Sequence, residues 1–211
     1  MRVGEQTPNA SMVKRLLIAA ALLLSASLFL PLWSTQMESP QYHGEDEIVI
    51  KVYPSRIVGN LREVQTLNQY IGVHLPLDAP ELRVLPYALG GFLVLTLGTI
   101  FLPFRIQKNA MVANFILMIA GGLAGAVMLQ YRLYQLGHVR THSIMKGVPN
   151  FTPPIIGSMH LANFHVETRL MAGGWAFALA IVLTALGIYF SRHEAVRIRS
   201  YCALRRAAVT R

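Results

Sequence analysis

The charged residues leave four long gaps. No Asp, Glu, Lys or Arg falls between Arg15 and Glu38, a run of 22 residues, or between Arg83 and Arg105, a run of 21. Lys108 and Arg132 enclose 23, and Arg169 and Arg192 enclose 22. A helix advances about 1.5 Å per residue, so about 20 residues cross the roughly 30 Å hydrocarbon core of a bilayer. The pattern predicts transmembrane helices over 16–37, 84–104, 109–131 and 170–191. The expected class is an all-α membrane protein, a four-transmembrane-helix bundle with a small α+β extracytoplasmic cap. The remaining chain divides into a lead (1–15), a first outer segment (38–83), a short loop (105–108), a second outer segment (132–169) and a basic tail (192–211).

The two outer segments carry ordering chemistry of their own. Ser39-Pro40-Gln41-Tyr42-His43-Gly44 is turn-forming and precedes the acidic run Glu45-Asp46-Glu47. Ile48 to Tyr53 is β-branched and bounded by Pro54, which predicts a short strand. Asn60 and Glu63 resemble a capping box, Leu61, Val64, Leu67 and Ile71 recur at helical spacing, and Gly72 supplies the stop. The second segment begins as an extension of the third span; Gly147 and Pro149 end it, and Phe151 to Gly157 reads as irregular. Tyr42, Tyr70 and Phe164 are the expected aromatic contacts of the cap. Within the spans, Gly90, Gly91, Gly98, Gly121, Gly122 and Gly125, and the series Ala172, Ala176, Ala180 and Thr184, would let helix backbones approach closely.

Composition agrees with the spans: 54% of residues are hydrophobic and 14% charged, against roughly 25% charged in a soluble domain. A large soluble catalytic domain is excluded. The net charge of +9 changes the picture only through its distribution. Arg2, Lys14, Arg15, Arg105, Lys108, Arg192, Arg197, Arg199, Arg205, Arg206 and Arg211 fall on one side of the spans against Glu5 and Glu194. The other side is neutral. The positive-inside rule then places both termini and the 105–108 loop in the cytoplasm. The basic tail is expected to meet lipid headgroups; nucleic acid is not an expected partner, because basic and aromatic residues do not interleave. Lys14 and Arg15 before Leu16 to Leu24 also suit a signal peptide, but the apolar run continues to Trp33, and an uncleaved anchor is expected. The single Cys202 precludes an intrachain disulfide.

The candidate chemistry is a set of side chains on the outer side: His43, His74, His138, His142, His160 and His165, with Met37, Met145 and Met159. Imidazole suits copper and zinc, and thioether sulfur favours Cu(I). His138, His142 and Met145 follow one another at helical spacing, so one helical face can present all three. The metal candidates are therefore His138, His142 and Met145, joined by Met159 or His160, with copper as the metal they would hold. A solvated or hydrogen-bonded surface role is the alternative. Glu167 and Arg169 suggest an interfacial ion pair or separate headgroup contacts. A nucleophile elbow, a phosphate loop and a carboxylate pair are all missing from the sequence, so the chain is not expected to be an enzyme.

Several blocks together resemble a family of small bacterial integral membrane proteins often encoded beside the maturation genes of nitrous oxide reductase, a copper enzyme. They are Pro31-Leu32-Trp33, Ser39 to Gly44, Leu67-Asn68-Gln69-Tyr70-Ile71-Gly72, Pro153-Pro154-Ile155-Ile156-Gly157, Asn163-Phe164 and Gly173-Gly174-Trp175. Where the family commonly reads Asn-His-Tyr-Ile-Gly-Met, this chain has Asn68-Gln69-Tyr70-Ile71-Gly72-Val73, and His43 stands where relatives often carry Pro. The resemblance implies an accessory or assembly role near a copper enzyme, with a maturation partner or a larger membrane complex alongside. The alternative is a structural subunit of a larger respiratory or oxygenase complex.

Overall fold

The structure, a computed structural model, describes residues 8–38, 48–62, 80–138, 151–161 and 164–209. Four long helices account for most of them: α1 (Pro8–Phe29), α2 (Glu81–Phe101), α3 (Phe104–His138) and α4 (Ala172–Val209). Each is long and apolar enough to cross a membrane. The described residues also form five short strands: β1 (Trp33–Glu38), β2 (Ile48–Val52), β3 (Ile57–Gly59), β4 (Gly157–Leu161) and β5 (Phe164–Leu170). The protein is a four-helix membrane protein with a small antiparallel β cap.

Helix boundaries depart from the uncharged windows in informative ways. The first window runs to residue 37, but α1 ends at Phe29, Leu30–Leu32 form a short linker, and the window ends inside strand β1. Pro31 has no amide hydrogen and cannot continue the helix, so the last helical bond is the Leu30 amide to the Ala26 carbonyl. The expected 105–108 loop is helical; the break between α2 and α3 is at Leu102 and Pro103 instead. There the Pro103 carbonyl accepts from the amides of Ile106 and Gln107, which opens α3. The tail expected beyond residue 191 is a continuation of α4 as far as Val209.

The chain separates into two compact units. The first comprises residues 1–25, 90–119 and 177–211 and is helical throughout its described part, apart from the short break at Leu102 and Pro103. Its core repeats along α1 at Val13, Leu17, Ala20 and Leu24, positions that share one helical face. Val13 and Leu17 pack with Met111 and Ile188, and Ala20 and Leu24 with Met118 and Ala180. Of the small-residue series on the fourth span, Ala176, Ala180 and Thr184 are buried and Ala172 is exposed. Gly90, Gly91, Gly98 and Gly125 behave otherwise: a β-carbon added at any of them would meet nothing within 4 Å. A buried polar chain joins α2 to α3. Asn114 Nδ2 donates to Thr96 Oγ1 at 2.9 Å, and Gln107 Nε2 donates to the Thr99 carbonyl at 3.0 Å.

The second unit comprises residues 26–89 and 120–176 and contains the sheet, in strand order β3-β2-β1-β5-β4. All pairings are antiparallel. The cap is built on a β-sheet among the described residues; of the helix expected over 60–72, only Asn60, Leu61 and Arg62 are described, and the last two are helical. Tyr42 and Tyr70 lie outside the described residues, as does the side chain of Phe164.

Three separated blocks meet at the end of the sheet that adjoins α1 and α4. Trp33 Nε1 donates to the Ile155 carbonyl at 2.7 Å. The Thr168 hydroxyl lies 2.9 Å from the Pro154 carbonyl and 3.0 Å from that of Gly157. The amides of Met171 and Gly173 donate to the carbonyls of Leu32 and Pro31. The blocks Pro31–Trp33, Pro153–Gly157 and Gly173–Trp175 are thus parts of one junction, and this is a structural use for residues the sequence singles out. At the same unit's helix ends, Arg132 on α3 donates through Nε and Nη2 to Glu81 Oε1 on α2, the shorter bond being 2.5 Å. Exposed Tyr and Trp side chains sit toward the ends of the apolar spans, as they do at membrane interfaces: Tyr87, Tyr131, Tyr134 and Trp175 in this unit and Tyr189 in the other.

Candidate functional site

Side chains alternate between the two faces of a strand, and this alternation divides the sheet chemically. One face carries Trp33, Thr35, Ile48, Ile50, Val166 and Thr168, all buried. The other carries Lys51, Gln36, Glu38, Ser158, His160, His165, Glu167 and Arg169, of which Lys51, Glu38, Ser158, His160 and Arg169 are exposed.

On that polar face the register builds rows across three strands. Glu38 on β1 pairs with His165 on β5, and His165 pairs with His160 on β4. The next row is Gln36, Glu167 and Ser158. Arg169 donates to Gln36 Oε1 and, at 3.1 Å, to Glu167 Oε2, so the expected Glu167–Arg169 ion pair is present. Both partners are largely exposed, which makes it a weak contributor to stability. The imidazole rings of His160 and His165 have centroids 4.6 Å apart, tilted by 45°. His160 is exposed and His165 half-buried. His165 Nδ1 is out of reach of solvent and has no hydrogen-bond partner.

The sequence-predicted metal candidates do not all come together. His138 is the last residue of α3; its ring stacks on Tyr134 with centroids 3.9 Å apart, and its Nδ1 lies 3.1 Å from the Tyr134 carbonyl oxygen. His142 and Met145 lie outside the described residues. Met159 and His160 are consecutive on β4 and therefore on opposite faces, Met159 in register with Val166 on the apolar side. Met37 likewise packs against Ile48 and Ile50. Among the described residues no group of three or more His, Cys, Asp or Glu side chains is arranged to surround an ion.

His165 is the site residue that helical spacing could not single out. Its signal is the mirrored pattern Met159-His160-Leu161 and Phe164-His165-Val166 about Ala162-Asn163, two alternating runs separated by two residues. That pattern marks a hairpin and sets the two histidines side by side. No known family model matches the chain, and neither does any curated protein.

Proposed function

We propose that this chain is an integral membrane accessory or assembly protein of a copper enzyme, acting through the polar face of its sheet. The orientation proposed is the one the charge asymmetry favours: both termini in the cytoplasm of a bacterial inner membrane and the sheet outside it. The observation that carries the reading is the pairing of β1 with β5. It joins the described strands of the two inter-helix segments in one sheet, continuous in sequence with α1 and α4, whose polar face bears two imidazoles and a mixed set of charges. Such a surface suits recognition of another protein; the copper association rests on the family resemblance and on the chemistry of imidazole.

A second reading, a structural subunit of a larger membrane complex, is favoured by α2 and α3. Their most apolar windows are 17% and 11% buried, against 33% for α1 and α4. Crosslinking and pull-down from native membranes, with metal analysis of the same fraction, tests both. A copper enzyme or its maturation factor recovered through contacts to the sheet supports the accessory role. Stoichiometric recovery of a large complex through α2 and α3, without copper-protein contacts to the sheet, establishes the second reading in its place.

A further inference from the structure

We propose that His160 and His165 form a two-imidazole site for a divalent transition-metal cation, with Cu2+ bound most tightly. The proposal rests on the accessory reading only for its biological setting; the geometry stands on the sheet alone. Cross-strand neighbours on one face of an antiparallel pair have their β-carbons about 5 Å apart, and the register makes these two histidines such neighbours. Their ring centroids lie 4.6 Å apart with the planes tilted by 45°, close enough for side-chain rotation to bring one nitrogen of each ring to a shared cation.

The second observation is His165 Nδ1. A ring nitrogen withdrawn from water and left without a hydrogen bond is costly, and folded proteins rarely leave such a group without a partner. A cation shared with His160 supplies the missing one. Glu38, next in the same row, adds negative charge on that face without completing a three-residue cage.

The donor set also fixes the kind of metal. Thioether sulfur would favour Cu(I), but Met159 occupies the opposite face of β4, so among the described residues this row offers imidazole nitrogen and the Glu38 carboxylate. Imidazole sites follow the divalent series in which Cu2+ exceeds both Ni2+ and Zn2+. The site is distinct from one built on His138, whose ring is stacked on Tyr134.

The test uses the full chain in mild detergent with any affinity tag removed, titrated with Cu2+ alone against a coloured chelator. One Cu2+ per chain is expected, with electron paramagnetic resonance showing coupling to imidazole nitrogens. His160→Gln and His165→Ala should each weaken binding at least tenfold, and His138→Ala should leave it unchanged. His160 is exposed, so His160→Gln decides the matter even if His165→Ala does not fold. Wild-type binding no tighter than that of His160→Gln overturns the site, as does a spectrum without nitrogen coupling. Partner capture is read separately. If His160→Gln loses metal but keeps its partner, this site stands apart from docking; if wild type binds no Cu2+ yet captures the partner, the metal site fails and the accessory reading survives.

Discussion

A β-carbon at Gly173 would lie 2.6 Å from the Leu30 carbonyl oxygen and 2.9 Å from that of Pro31. Backbone atoms cannot swing aside, so the first turn of α4 approaches the Leu30–Leu32 linker at a distance only glycine permits. Two effects compete in Gly173→Ala. Alanine gains up to about 1 kcal/mol in helix propensity, while overpacking typically costs about 1–3 kcal/mol. With two carbonyls inside contact distance the steric cost wins. Gly173→Ala should lower the thermal unfolding midpoint in detergent by several degrees, whereas Ala172→Ser, at an exposed neighbouring position, should change it little. Gly59 is similarly constrained: its φ is +153°, and a β-carbon there would collide with the Val49 carbonyl oxygen.

Among the elements, the spans were legible because a stretch of about 20 residues without a charge matches the thickness of a bilayer and little else. The strands were harder to see. β1 alternates Trp33, Thr35 and Met37 with Ser34, Gln36 and Glu38, but no charge separates it from α1, so it merges into the first hydrophobic window. β5 alternates Phe164, Val166, Thr168 and Leu170 with His165, Glu167 and Arg169, a clear period of two. The candidate site suffered for the same reason. Counting His138, His142 and Met145 at helical spacing overlooked the cross-strand relation that makes His165 the neighbour of His160. The bond from Asn114 to Thr96 was equally hidden, since a pairing between spans leaves no trace in either window. A double-mutant cycle with Asn114→Leu and Thr96→Val should give a coupling of about 0.6 kcal/mol, the usual size of a hydrogen bond between membrane helices. Zero coupling would show that the two helices do not share this contact in the membrane.

For the molecule as a whole, the distribution of charge remains the guide to orientation. In a Cys202→Ser background, Ser55→Cys and Ser158→Cys should react with an impermeant thiol reagent applied outside the cell, since both serines are exposed. Native Cys202 should react only after permeabilisation. Labelling of Cys202 from outside would reverse the proposed topology and place the polar sheet face, with its histidines, in the cytoplasm.

The central pairing of the sheet also sets a timetable. β1 leaves the ribosome soon after α1, yet its partner β5 lies far along the chain: Glu38 pairs with His165, and Trp33 with Leu170. At a synthesis rate of about 5–20 residues per second, the edge of β1 waits on the order of ten seconds before β5 exists. During that interval β1 can pair only with β2, and its other edge exposes the backbone groups that make unpaired strands prone to association. The newborn protein therefore has a window in which two unfinished copies can join edge to edge, and a factor that shields this edge until the last helix inserts would raise the yield of folded protein without altering its stability.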